Sequence, residues 1–241
     1  MSTIETNRSD DVATPAIPVV PATFGSGGGE PYARALRHDD EVLYLRETAS
    51  DSPRHPAPFD VSKWSADADD TDRDVLTRAT GPVLDIGCGP GRMVKAAADA
   101  GFEAFGIDVS PAALEIAEAA GLDVLRRSVF DPLPREGAWG TALLLDGNIG
   151  IGGDPGALLA RVAELLAPDG RVIVETHPDD DHDRAFEGAV VNGHGHQSDP
   201  FPWAEIGQRA LTARAAHAGL EADQVWVADG RTFVSLAPSA A

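Results

Sequence analysis

Three features of the sequence predict a doubly wound α/β protein with a mainly parallel sheet. The first is Val83-Leu84-Asp85-Ile86-Gly87-Cys88-Gly89-Pro90-Gly91-Arg92, where a short apolar run meets glycines at alternate positions and then a helix-like run to Ala100. Strand, glycine turn and helix in that order present a nucleotide-like ligand to backbone N–H groups. The second is the alternation of strand-like and helix-like segments from Gly81 onward, the pattern of βαβ units. The third is Ala228-Asp229-Gly230 between two apolar runs near the C-terminal end, where Asp-Gly signals a tight hairpin.

In chain order, residues 1 to about 30 are rich in Ser, Thr, Pro and Gly, with Phe24-Gly25-Ser26-Gly27-Gly28-Gly29 at their end. They read as a flexible tail, or alternatively as a lid over a ligand. Residues 31–80 form an N-terminal segment: a short helix from Pro31 to Arg37, a strand over Glu41–Arg46, a proline-containing loop at 49–60, and helix from Asp60 to about Ala79. Asp67, Asp69, Asp70, Asp72 and Asp74 are expected on a solvated face there. Tyr44 and Trp64 are candidates for either core or pocket.

Residues 81–241 carry the ligand-binding domain. Its expected strands are Val83–Ile86, Glu103–Asp108, Asp123–Arg127, Thr141–Leu145, Arg171–Thr176, Leu220–Val227 and Arg231–Leu236, seven in all. Helices are expected after the glycine loop, from Pro111 with Ser110 as cap, from Asp154-Pro155 through Leu166, and from Phe201-Pro202-Trp203 to about Ala218.

Composition narrows the function. The chain has 241 residues, 43% of them hydrophobic, which suits a globular domain with a core. With 39 acids against 19 bases its formal net charge is -20. Such a surface repels phosphate backbones and anionic lipid, so nucleic acid and membrane are not expected as partners. Cys88 is the only cysteine, so neither an intrachain disulfide nor a cysteine-rich metal site is possible. No apolar run has membrane-spanning length, and the first residues lack the basic-then-apolar order of a signal peptide. A soluble, cytoplasmic protein is the expectation.

The glycine loop departs from the dinucleotide pattern G-x-G-x-x-G: its third position is Arg92, and an acid, Asp85, sits inside the strand. A carboxylate at the loop mouth repels a pyrophosphate and attracts an ammonium or a sulfonium. Asp108 closes the next strand about 20 residues on, the spacing that reaches both hydroxyls of a ribose. The runs Asp85-Ile86-Gly87-Cys88-Gly89-Pro90-Gly91 and Gly106-Ile107-Asp108-Val109-Ser110-Pro111 closely resemble the first two motifs of the class I S-adenosylmethionine (SAM)-dependent methyltransferases. The resemblance covers about Gly81 to Pro238.

That resemblance implies a Rossmann-like seven-stranded sheet, mostly parallel, with a C-terminal antiparallel hairpin strand. It implies SAM as cofactor and S-adenosylhomocysteine as product, and it makes the segment 31–80 a cap. Asp85 would meet the methionine ammonium. Gly87, Cys88, Gly89 and Gly91 would let the backbone approach, and Asp108 with Val109 would hold the ribose. Where the family often carries an acid for the adenine amino group, this chain has Val129. Adenine would then be read by backbone groups at Val129 and Phe130, or by Asp131 from a shifted loop. Asp146 and Asn148, in the loop after the fourth strand, would lie over the methionine part and face the acceptor.

His177 directly follows the fifth strand and is the candidate general base, ahead of His194 and His196. The His and Asp residues from His177 to Asp183 match no metal-ligand spacing, and no metal is expected. The function so expected is methyl transfer to an O, N or C nucleophile of a small molecule. A non-catalytic SAM-binding protein, a NAD-dependent oxidoreductase and an aminopropyltransferase are the alternatives.

Overall fold

A computed structural model describes residues 23–26, 31–37, 42–48, 58–59 and 61–239. Most of the expected N-terminal tail lies outside them. In chain order the elements are α1 (Pro31–Ala35), β1 (Leu43–Glu47), β2 (Pro58–Phe59), α2 (Val61–Ser65), α3 (Asp70–Leu76), β3 (Val83–Ile86), α4 (Arg92–Asp99), β4 (Ala104–Asp108), α5 (Pro111–Ala119), β5 (Val124–Arg126), β6 (Trp139–Leu144), α6 (Pro155–Leu165), β7 (Leu166–Thr176), β8 (Asp183–Asn192), β9 (Phe201–Ile206), α7 (Gln208–Ala215), β10 (Leu220–Ala228) and β11 (Arg231–Pro238). Short 3₁₀ turns follow β6 (Asn148–Gly153) and α7 (Ala216–Ala218).

The main sheet has seven strands in the order β10-β11-β7-β6-β3-β4-β5. β3 pairs in parallel with both β4 and β6, while β11 runs antiparallel to β7 and β10. This is the expected Rossmann-like sheet with its reversed strand. The chain winds outward from β3 to β5, then returns to β6 on the other side of β3. The switch places the carboxyl ends of β3, β4 and β6 around one crevice. β3 and β6 are buried throughout, as continuous apolar strands covered on both faces must be. One face packs with α6 and α7, the other with α4.

A second sheet was not expected. It has four antiparallel strands in the order β2-β1-β8-β9. Residues 183–192, for which the sequence suggests no element, form β8, and Phe201-Pro202-Trp203, expected to introduce a helix, opens β9. The first half of β8 is polar and largely exposed, which hides its apolar second half, Ala189 and Val190. In β9, Phe201 and Trp203 point inward at strand spacing. Pro202 is exposed on an edge strand, where a residue without an N–H is tolerated. The helix that follows begins only at Gln208.

The expected helix over 60–79 is two helices. Asp69 caps α3, accepting from the Asp72 backbone N–H while the Asp72 carboxylate accepts from that of Asp69. Asp72 is fully buried rather than on a solvated face. The reason is a pair of arginines described below.

Candidate functional site

The cradle is built at the end of β3. Gly87 and Cys88 both donate their N–H groups to the Ile107 carbonyl, at 2.8 and 3.0 Å, which ties the glycine loop to β4. Gly91 begins α4 in a left-handed conformation (φ 95°), and a Cβ there would lie 2.4 Å from Leu122 Cδ1. Only glycine meets both constraints. Asn148 braces the loop from the other side, donating from Nδ2 to the carbonyls of Ile86 (2.9 Å) and Gly87 (3.0 Å).

Asp108 is held rigidly. Its Oδ2 accepts from the Gly89 N–H and its Oδ1 from the Ser110 N–H, both at 2.8 Å. Each oxygen retains a second lone pair for a ligand hydroxyl. Burial raises its pKa, against the pull of those N–H donors. Tyr32 of α1 leans over Gly89. Its buried phenol is pushed well above the usual value by desolvation and by Asp108, and it stays a neutral donor.

Asp85 is different. It is 4% exposed, and no hydrogen bond from a described residue reaches its carboxyl. Burial raises its pKa to about 7, against the pull of Arg92 and with the push of Asp146, Asp108 and Asp72. A buried carboxyl without a partner, aimed into a cleft, is a destabilised group that a ligand cation satisfies.

Behind it lies an ionic network. Arg92 pairs with Asp72 and Asp146. Arg231 clasps Glu175 with two hydrogen bonds, at 2.8 and 2.7 Å, and reaches Asp72 at 2.9 Å. Lys63 lies 3.9 Å from Asp146. Desolvation works against the charged form of Asp72 and Glu175, yet hydrogen bonds from Arg92 and Arg231 to the first and from Arg231 to the second lower both pKa values. Burial raises that of Asp146 despite Arg92. The network joins α3, α4, the turn after β6, β7 and β11, and reaches the cleft at Arg92 and Asp146.

The cleft encloses about 1110 Å³ of free space, counting its open mouth. Asp85, Gly87, Cys88, Gly89, Asp108, Val109, Val129, Phe130, Asp146 and Asn148 all line it. Gly91 does not; it shapes the turn from behind. Cys88 is buried with its thiol pKa pushed up by desolvation, a packing group rather than a nucleophile. Beyond β5, Arg127, Ser128, Val129 and Phe130 wall one end. Arg161 anchors this loop through the carbonyls of Val129 (3.0 Å) and Asp131 (2.9 Å). The Asp131 carboxylate is outside the cleft lining, accepting from the Ser128 N–H at 3.3 Å.

The other end is aromatic. Phe24 contacts Tyr32, Trp64, Phe201 and Trp203 at ring-centroid distances of 5.0 to 6.2 Å. Trp64, but not Tyr44, lines the cleft. Trp203 was missed as a site residue because it was assigned to a helix; its signal was the alternation with Phe201. His177 is not brought to the cleft. It stacks on His182 at 3.9 Å, and its Nδ1 accepts from the Asp179 N–H at 3.1 Å.

A glycine loop at the switch point, an unpaired acid before it and a rigid acid on the next strand define a class I SAM-dependent methyltransferase. A family model described as a methyltransferase domain matches residues 65–225, and the chain belongs to that family.

Among solved structures, the chain is similar to a SAM-dependent methyltransferase from Bacteroides fragilis in complex with S-adenosyl-L-homocysteine (TM-score 0.68, 23% identity, 87% of this chain and 93% of that one). It is also similar to the CcbJ methyltransferase from Streptomyces caelestis (0.55, 17%, 78% and 94%). A third is the 1,6-didemethyltoxoflavin-N1-methyltransferase of Burkholderia thailandensis with bound 1,6-didemethyltoxoflavin and S-adenosylhomocysteine (0.53, 19%, 71% and 78%). Comparison with curated protein sequences gives no match.

Proposed function

We propose that this methyltransferase acts on a small molecule with an apolar, ring-shaped body, held between the N-terminal segment and β9. The observation that carries this reading is a cluster of five rings centred on Phe24, which contacts Tyr32, Trp64, Phe201 and Trp203; all but Phe201 line the end of the cofactor cleft. Such a wall favours an apolar or aromatic ligand through burial and edge-to-face contact. The net charge of -20 argues against a polyphosphate acceptor. The Burkholderia thailandensis relative, whose bound ligand is a small molecule, is consistent with this reading.

SAM supplies a methyl carbon activated by its sulfonium: an acceptor lone pair takes that carbon and the sulfur keeps the electrons of the broken C–S bond, leaving S-adenosylhomocysteine. The chain binds and orients. Asp85 meets the methionine ammonium. Asp108 accepts from the ribose hydroxyls. The backbone at Val129 and the ring of Phe130 hold adenine, since Asp131 is turned to Ser128. Asp146 and Asn148 fix the loop above the methionine part. The segment 31–80 acts as a cap. Positioning supplies most of the rate, and His177, which does not line the cleft, is given no part in it.

The reading is tested by incubating the protein with SAM and a panel of ring amines and phenols and measuring S-adenosylhomocysteine formed. Turnover with such acceptors is expected, and Trp203→Ala raises KM for the acceptor while leaving S-adenosylhomocysteine affinity unchanged. Product formed only with a protein or RNA acceptor would overturn it.

A further inference from the structure

We propose that His177, His182 and Glu205 form a binding site for a divalent transition-metal ion at the junction of the two sheets, outside the cofactor cleft. One donor atom from each residue lies within 4.8 Å of the other two, and all three side chains are half-buried. His182 Nε2 is 3.1 Å from Glu205 Oε2. Two ligands on one tetrahedral zinc ion, each at about 2.0–2.1 Å, are separated by about 3.3 Å. That pair therefore already has the spacing of neighbouring ligands.

The segment bearing the histidines is not a loose loop. His177 donates its N–H to the Ile206 carbonyl at 2.8 Å, Gly207 donates to the His182 carbonyl at 2.7 Å, and Arg209 donates to the Asp180 carbonyl at 3.0 Å. These bonds lace residues 177–182 to the end of β9 and the start of α7, so the three ligands come from the β7–β8 connection and the end of β9, fixed against each other. The sequence hides this, because Glu205 belongs to a strand it does not announce. Fixed ligands need little ordering when an ion arrives.

The two imidazoles stack at 3.9 Å with 19° between their planes. Both cannot face one ion in their own planes, so binding turns one ring about its Cβ–Cγ bond. The His182–Glu205 hydrogen bond is replaced by two metal bonds, and the neutral His182 imidazole then carries its one ring proton on Nδ1. Two imidazoles and one carboxylate suit zinc, cobalt, nickel or ferrous iron rather than magnesium or calcium. Asp180 and Asp181, which add negative potential nearby, are themselves paired with Arg209. An ion here ties β9, which carries Trp203, to the end of β7. The site does not depend on the acceptor assigned above.

The test uses the full chain without a polyhistidine tag. Calorimetric titration with zinc chloride should show one equivalent bound, and cobalt(II) should give visible ligand-field bands that zinc abolishes. His182→Ala and Glu205→Gln should each weaken zinc binding about tenfold or more, with far-UV circular dichroism and S-adenosylhomocysteine affinity unchanged. A double variant of the exposed pair, His194→Ala with His196→Ala, should bind zinc as the parent does. The absence of stoichiometric binding, or binding that survives Glu205→Gln and His182→Ala, would overturn the proposal. Should His182→Ala fail to fold, the nearly isosteric Glu205→Gln decides alone.

Discussion

The pairing proposed between Asp85 and the methionine ammonium predicts that cofactor binding depends on pH, in a direction set by the burial of that carboxyl. Its carboxyl titrates at about 7 in the unliganded protein because burial outweighs Arg92. Only the ionised form pairs with the methionine ammonium. From pH 7 to pH 5.5 the ionised fraction falls from one half to about one in thirty, so affinity for S-adenosylhomocysteine should fall about fifteenfold. Near pH 6 binding should release close to one proton, read as a dependence of the calorimetric enthalpy on the ionisation enthalpy of the buffer. Above about pH 8 affinity falls again as the ligand's own α-amino group loses its proton. Asp85→Asn should abolish the acid limb and the proton release. Stability carries the same signature with its sign reversed from that of a paired acid. The folded-state pKa lies above the ordinary carboxyl value, so this group's contribution to stability is greatest below about pH 4. It declines as pH rises to about 7, by up to about 4 kcal/mol. Unliganded Asp85→Asn should therefore melt higher than the parent protein at pH 8 and not at pH 4. Affinity that is flat between pH 5.5 and 7, with no proton released, would refute the reasoning.

Three other perturbations follow from the geometry. Asp108→Ala removes the acceptor of two ligand hydroxyls and frees the Gly89 and Ser110 N–H groups, so S-adenosylhomocysteine affinity should drop about 100-fold, at about 1.5 kcal/mol per charged hydrogen bond; calorimetry checks it. Arg92→Met leaves the fully buried Asp72 with one arginine fewer and should lower the unfolding free energy by about 3–5 kcal/mol in urea. Gly106→Ala sets a Cβ 2.7 Å from both Cys88 Sγ and Val94 Cγ2; overpacking of about 1–3 kcal/mol should appear as a lower melting temperature, with the glycine loop perturbed through Cys88.

The main sheet was legible because its signals are local. β3, β4 and β6 are short apolar runs ending at ligand-bearing turns, and Asp229-Gly230 marks the closing hairpin. That Asp85, Gly87, Gly89 and Asp108 meet at one cleft was legible for the same reason, since they lie on consecutive strand ends. What could not be read depends on distant partners. Asp72 looks like one of a row of solvated acids, and only Arg92 and Arg231 from other elements make it a core residue. Val129 stands where an acid was expected, and only Arg161 shows how that loop is held. β8 begins with charged residues and β9 contains a proline, so neither has the pattern of an isolated strand. With that sheet unseen, Trp203 and Glu205 could not be assigned their surroundings.

The small sheet also has a consequence for when the molecule becomes competent. Leu43 of β1 lies opposite Asn192 of β8, so the sheet closes a loop spanning much of the chain. The glycine loop and Asp108, by contrast, lie on β3, α4 and β4, all near in sequence, with only the Asn148 brace arriving from farther on. Distant pairings are entropically late, and near ones form early. The glycine loop and the Asp108 turn should therefore take shape before the aromatic wall does. During synthesis the Asp85–Asp108 side of the cleft is expected to form first, and the aromatic side only once β9 has emerged and folded back on the N-terminal segment.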